Sequence, residues 1–443
     1  MNKHVGGLLI ALLLAGGLIS MVLAADGGPW AGAEPAVNIS KSQDVSEHSA
    51  LALGDGRVAI AWSGKKTTQD IYLAEKEFDG EWNVQHWPQG EQVTWYPTVA
   101  YSGTEPIVAW VQGTTSVPGF VPALNRPRAV MQRDGHGVQA QTIITPMFGD
   151  INPDLSIAST GMHMVFVATT ISETATQGDI YYTHRNFTQT EWSSPTIVMT
   201  RAQAIQSRVQ WNSAHIWWPR LAIEENETRL HLTWEQEYRY GTSYTFTIWH
   251  MSGTWDAGTI TWDIPEQVSP PEQTRAVRPS IAIDEDNVHI SWSELYIGTG
   301  GLLAPEAQHI NYVQIGAEPS IRISGEAIRV NNRQPTWTTS SIAAGGGNVC
   351  ATWHGFYTGE KEETIMRCSK DGGKTWDALL NVSESQNLLS LFPKVKVDAG
   401  DQAHVVWVEF SLVGNSLIPY DLYYRTGTSD VSRIFLPLIL RRK

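Results

Sequence analysis

Two sets of residues recur at fixed places in this chain and carry most of its chemical potential. Directly before a repeated proline stand Tyr96, Asn152, Trp218, Arg278, Gln334 and Phe392, and two positions after a repeated tryptophan stand Gln112, Gln236, Glu294 and Glu409. Together they offer aromatic faces, amides, a guanidinium and two carboxylates. An aromatic ring stacks on the apolar face of a sugar, while directed polar groups satisfy its hydroxyls. A guanidinium grips a carboxylate through a planar fork that an ammonium lacks. Paired carboxylates such as Glu294 and Glu409 could also serve glycoside hydrolysis, where their separation sets the route; a sequence does not give that separation. The same residues could instead close a channel by bonding to one another. Tyr96, Trp218, Arg278, Glu294 and Glu409 form the candidate ligand-binding set. His231, His289 and His404 share a single repeated position and read as structural, so no metal site and no cofactor are expected.

The elements that must position these residues come from a line repeated seven times, with starts at 48, 97, 153, 219, 279, 335 and 393. Its clearest copies run from Pro219 to Trp234, Pro279 to Trp292 and Pro393 to Trp407; the copy at Pro153 lacks the tryptophan, and the one at His48 lacks the proline. Self-similarity at a period of about 50 to 65 residues marks a radial repeat architecture. Each copy holds two alternating apolar runs around a turn, followed by a short aromatic run such as 70–75, 179–184 or 421–426 and then a run that often opens on tryptophan. That is four strands per repeat, the content of a propeller blade. No segment after the leader sustains a 3.6-residue apolar period with caps, so the chain is expected to be all-β.

The last repeat lacks a fourth strand, and residues 35–40 near the N-terminus resemble the missing piece. Pairing them with the last blade protects the edges that an open ring exposes. The expectation is therefore a seven-bladed β-propeller of four-stranded antiparallel blades closed by an N-terminal strand, with six blades as the alternative. Residues 25–433 form one domain, because no linker or charge block divides the 443 residues. Most of the 19 tryptophans read as blade core.

Residues 1–24 read as a signal peptide: Lys3 and His4 precede an apolar run, and Val22 to Ala24 offers a cleavage site. An uncleaved anchor is the alternative. The protein is thus expected to be secreted or held at the cell surface, without a membrane span once the leader is removed. Its net charge of −14 argues against a nucleic-acid partner. The tail 434–443 is apolar and then basic, and too short to span a bilayer. A hairpin centred on Gly359 would place Cys350 opposite Cys368, either as a disulfide suited to an oxidising compartment or as two buried thiols.

Ser369, Asp371, Gly373, Thr375 and Trp376 fill every fixed position of the pattern S-x-D-x-G-x-T-W, the Asp-box. Here the chain resembles the sialidase superfamily of β-propellers, the bacterial neuraminidase repeat proteins. Asp79 to Trp82 is a degenerate second copy. The resemblance implies that the box is a structural turn between the third and fourth strands. Its residues suit that role: aspartate satisfies turn N–H groups and glycine supplies positive φ. The resemblance also implies, for catalytic members, three arginines on a substrate carboxylate, a Tyr–Glu nucleophile pair and an aspartate acid. The N-terminal arginine segment of such members has no counterpart at 34–40, and Arg220, Arg278, Tyr238 and Tyr296 do not align as a catalytic set. A propeller that binds an extracellular glycan or glycoprotein is the leading expectation. An exo-sialidase-type hydrolase and a protein-interaction propeller are the alternatives. Segments 111–127, 168–178, 235–243, 293–307 and 408–420 are expected to be long loops on the binding face.

Overall fold

The structure is a computed structural model. It describes residue 30 and residues 33–428, apart from 42–44, 66–68, 90–91, 115–127, 136–139, 148–151, 169–177, 207–212, 241–242, 257, 272–274, 298–304, 326–327, 330–337, 357–360, 386–387 and 414–415. The leader 1–24, the tail 434–443 and Gln334 lie outside the described residues.

Seven antiparallel sheets of four or five strands make up the described residues, and the main paths of six of them follow sequence order. The first strands are Val45–Gly54, Gln92–Ser102, Asp154–Ile157, Ser213–Ile223, Ala276–Asp284, Ser340–Gly345 and Leu389–Val397. Each touches the next, and the last touches the first, so the strands form a closed ring. Seven blades are observed, and the six-bladed alternative is excluded. The repeated tryptophan lies in the second strand: Trp62, Trp110, Trp234, Trp292, Trp353 and Trp407 are all fully buried, and Phe166 replaces it in the third blade. Such residues bury the largest apolar areas available to a side chain, which explains their recurrence in every blade wedge.

The ring closes as the sequence implies. Val37–Asn38 is the fourth strand of the seventh blade, with Val37 opposite Tyr424 and Asn38 opposite Tyr423. Glu34 N–H donates to Thr426 O and Ile39 N–H to Leu422 O, each at 2.8 Å, and Trp30 Nε1 donates to Thr428 O at 2.9 Å. Both chain ends of the ring thus hold one sheet.

In the sixth blade the 369–376 segment joins the third strand, Glu362–Ser369, to the fourth, Leu380–Asn381. Asp371 accepts from Thr375 N–H at 2.8 Å and Thr375 Oγ1 at 2.6 Å, while Ser369 Oγ accepts from Gly373 N–H at 2.8 Å. Trp376 Nε1 donates to Gly373 O at 3.0 Å, and its ring stands edge-on to Tyr312 of the fifth blade at 5.0 Å. Tyr312 Oη donates to Gly372 O at 3.2 Å and lies 2.8 Å from His289 Nδ1. A phenol has one proton, so His289 Nδ1 is the donor in that second bond. The same latch recurs: His404 Nδ1 meets Tyr424 Oη at 2.6 Å with Trp82 edge-on at 5.1 Å, and His163 Nδ1 meets Tyr182 Oη at 2.7 Å with Trp262 at 5.9 Å. The repeated histidines are therefore structural, as their shared position implied: each holds a tyrosine of its own blade whose ring meets a tryptophan of the next. His231 is the variant, bonded to His250 and Glu224.

Cys350 and Cys368 face each other across the ladder with Cα atoms 4.1 Å apart and form a disulfide. Three of the expected loops differ. Arg229–Tyr240 pairs with Ser243–Asp256, Gln402–Val413 with Ser416–Thr428, and Asn287–Ile297 with Pro305–Gln314, so the described residues of 235–243, 408–420 and 293–307 belong to paired strands. Ladder pairing satisfies their backbone where loop residues would rely on water. The interiors of 111–127 and 168–178 lie outside the described residues. The segment after Met199 holds a short helix, Arg201–Gln206. Thr200 caps it: Gln203 N–H donates to Thr200 Oγ1 at 3.1 Å, and Thr200 N–H donates to Gln203 Oε1 at 2.8 Å.

Candidate functional site

The residues before the repeated prolines share an unusual backbone. Among the described residues nine non-glycines have positive φ, and four of them are Tyr96 (49°), Trp218 (50°), Arg278 (57°) and Phe392 (55°). At each, the ladder between first and second strands shifts register: between Trp95 and Thr98, Trp217 and Arg220, Val277 and Ser280, and Leu391 and Lys394. A bulge places two residues where the partner has one, and proline fits there because it has no N–H to lose from the ladder. Left-handed backbone is uncommon for residues other than glycine, and such strain concentrates at ligand and active sites. The bulge turns four large side chains toward the ring axis. In the first blade the shift between Val45 and Ser49 gives His48 the matching place. In the sixth, Ser340 lies opposite Trp353, which makes Thr339 the matching residue; Gln334 and Pro335 lie outside the described residues.

Three of these side chains meet across the ring. The Arg278 guanidinium lies 3.7 Å from the Trp218 ring centroid, and the Arg220 guanidinium lies 5.9 Å from it. Tyr96, two blades away, stands edge-on to Trp218 at 5.8 Å, and His48 stands edge-on to Tyr96 at 4.5 Å. Phe392 packs edge-on against His354 at 5.5 Å. Tyr96, Trp218, Arg278 and Phe392 are half-buried, whereas Asn152 is buried. The structure thus brings together Tyr96, Trp218 and Arg278 from the candidate set.

Glu294 and Glu409 are held elsewhere. Trp407 Nε1 donates to Glu409 Oε1 at 2.6 Å, and Ser390 and Ser385 also donate to that oxygen. Trp110 Nε1 bonds Gln112 at 3.3 Å and Trp234 Nε1 bonds Gln236 at 3.0 Å in the same way. The residue two past the tryptophan therefore caps a buried indole N–H. Glu294 accepts from Asn311 at 3.3 Å and pairs with Arg322 at 3.4 Å, partners on the third and fourth strands of its own blade. Residues two apart on a strand share a face, so the residue that follows the buried tryptophan's pattern stays with the blade interior. Tyr238 is fully buried and bonded to Gln236 at 2.5 Å.

Sequence reasoning missed Glu235, one residue past Trp234 and on the opposite strand face. Its carboxylate accepts the backbone N–H of Arg278 at 2.9 Å. Burial pushes its pKa up to about 7, against the opposing pull of Arg278. The signal that could have found it is a charged residue at a core-flanking strand position. Deeper in the channel, Asp154, Arg220 and Lys394 directly follow their blades' prolines, and Lys396 lies two residues further. Asp154 Oδ2 accepts Leu221 N–H of the next blade at 2.8 Å; Ser280 Oγ and Ser341 Oγ do the same for Ile342 and Val395 at 3.1 and 3.2 Å. This tier stitches neighbouring first strands together. Burial and the nearby cation Arg220 push the Lys394 amine down to about 8, and burial followed by the field of Arg278, Lys394 and Arg220 pushes His48 down to about 3. Among the described residues no cluster of three or more His, Cys, Asp or Glu could hold a metal ion.

The blades and their closure define a seven-bladed β-propeller, the fold that the sequence repeat implies. No protein-family model matches the chain, and no curated protein matches it. Among solved structures it is similar to a Hadza microbial sialidase, at 10% identity and TM-score 0.46 over 82% of this chain and 73% of that one. It is similar to Penicillium chrysogenum alpha-L-arabinanase complexed with arabinobiose, at 11% identity and TM-score 0.48 over 90% and 98%. It is also similar to the β-propeller domain of the Trilobed protease from Pyrococcus furiosus, at 8% identity and TM-score 0.45 over 87% and 95%. Identities and TM-scores this low leave the description of the fold to the blades themselves.

Proposed function

We propose that this protein is an exported propeller that binds an extracellular glycan at its axial mouth. The observation that carries the reading is the convergence of Tyr96, Trp218 and Arg278 from three blades, each at a bulge with left-handed backbone and each half-buried. Half-buried aromatic rings offer stacking surface, and a guanidinium fixed on an indole offers directed donors in a known plane. The arginine covers one face of Trp218, so a sugar stacks on the exposed aromatic surface or slides the guanidinium aside. Export rests on the leader at 1–24.

A glycan array and a glycosidase panel, both run on purified residues 25–443, test the reading. Binding without turnover, lost in Trp218→Ala, supports it. Release of free sugar, abolished by Glu235→Gln, would establish the hydrolase alternative, because a carboxyl held near pH 7 is suited to general acid work. Neither binding nor turnover would leave the mouth residues as a plug that closes the channel.

A further inference from the structure

We infer that the axial channel beneath the mouth is a binding site for a small oxyanion or carboxylate, held by Arg220, Lys394 and Lys396. The inference does not depend on the glycan reading, since it concerns a different tier and a different ligand chemistry. The chain as a whole carries −14, so a cluster of cations on its axis runs against the composition. The fold creates that cluster. Arg220 and Lys394 follow the bulge prolines of the fourth and seventh blades, opposite Thr233 and Val406, and Lys396 lies opposite His404 two residues further along the seventh. First strands line the axis, so Arg220 is gathered there with the two lysines although 174 or more residues separate it from them (220 against 394).

Their protein partners do not neutralise them. Arg220 Nη1 donates to the carbonyl of Pro219 at 3.0 Å, a neutral group, and its plane flanks Trp218. Among the described residues Arg220, Lys394 and Lys396 take part in no salt bridge, and neither lysine ammonium has a hydrogen-bond partner. Asp154 is the carboxylate in their field, and one of its oxygens is engaged by Leu221 N–H. Three cations against one partly engaged carboxylate leave an excess of positive charge inside a ring of protein. Enclosed charges lose hydration and repel one another, and an anion supplied by the solution removes both penalties. Lys396 is exposed and Lys394 half-buried, as expected of amines that face a lumen. The amines and guanidinium supply donors only, which selects an acceptor-rich ligand such as a phosphate or a carboxylate.

Two sources fit this chemistry: a free inorganic anion, or the charged group of a glycan seated at the mouth. The test uses purified residues 25–443 at constant ionic strength, titrated calorimetrically with inorganic phosphate, with glucuronate and with neutral glucose as the control. Saturable binding of phosphate or glucuronate, weakened at least tenfold in Lys394→Gln/Lys396→Gln, supports the site. Phosphate binding that survives Trp218→Ala identifies a free anion, whereas glucuronate-only binding that is lost in Trp218→Ala identifies a glycan's charged group. Lack of saturable binding of either anion by the wild-type protein overturns the inference, as does binding unchanged in the double variant. That variant removes mutually repelling amines, so it is expected to fold at least as well as the wild type, and its melting curve checks this.

Discussion

Gly372 and Gly373 are adjacent, and both have positive φ, +69° and +90°, yet the fold asks different things of them. A Cβ on Gly372 meets nothing within 4 Å, whereas a Cβ on Gly373 would sit 1.8 Å from Tyr312 Oη and 2.4 Å from Cζ. Gly372→Ala should therefore cost only the left-handed backbone term, about 1–2 kcal/mol. Gly373→Ala adds the displacement of Tyr312, whose hydroxyl bonds Gly372 O and His289 Nδ1. Losing two hydrogen bonds at about 1 kcal/mol each, and leaving a buried histidine donor without a partner, raises the total to about 3–5 kcal/mol. Urea unfolding followed by tryptophan fluorescence measures both, and the gap of about 2–3 kcal/mol is the quantity of interest. In a Tyr312→Leu background the obstructing hydroxyl is gone, and Gly373→Ala should fall back toward the Gly372→Ala cost. Equal losses for the two glycines, or a Gly373→Ala penalty unchanged by Tyr312→Leu, would refute the claim that this turn is a blade-to-blade fastener.

Other outcomes follow from the same structure. Deleting residues 25–42 removes the strand Val37–Asn38 and the Trp30 bond to Thr428, so the melting temperature should fall by many degrees; an unchanged melt would mean that the strand does not close the ring. His354 and His48 are pushed down to about 3, and His163 and His289 to about 4, by burial first, all from an ordinary 6.5. The unfolded chain then binds protons before the folded one does, so stability present above pH 6.5 is lost as pH falls toward those values; His354→Gln should show a shallower fall in melting temperature between pH 7 and 4. Asp371→Ala loses the acceptor for Thr375 N–H and Oγ1 at an exposed turn where water substitutes, so it should cost about 1 kcal/mol in urea unfolding and leave glycan affinity unchanged.

Much of the fold was legible because the repeat is written in residues with narrow roles. The tryptophan marks the second strand, the proline marks the bulge on the first, and the orphan segment at 35–40 announced the closing strand. The hairpin centre alone set Cys350 opposite Cys368, while the bond between them came from the structure. The site was legible in half. Residues before the prolines were found because proline fixes the bulge that re-aims them. Glu294 and Glu409 were placed on the axis by counting along the strand, but period-two alternation keeps them with the tryptophan's face, where indole and neighbouring side chains claim them. Glu235, on the other face, needed the neighbouring blade's Arg278 to reveal itself, and blade-to-blade contacts are not written in any one repeat. The sixth blade shows the limit of the marker: Ser340, not a proline, lies opposite the tryptophan there, and Thr339 precedes it. The cationic channel was equally hidden, because overall charge averages over a surface that the axis does not share.

The central claim is that ligand binding belongs to the axial mouth. The most direct measurement is calorimetric affinity for the glycan retained on the array, compared between Trp218→Ala at the mouth and Asp371→Ala at the turn between the third and fourth strands. The account predicts at least a tenfold loss for Trp218→Ala in a protein with a normal melting curve, and wild-type affinity per folded molecule for Asp371→Ala. Undiminished affinity in Trp218→Ala, or loss of binding in a stably folded Asp371→Ala, would contradict it.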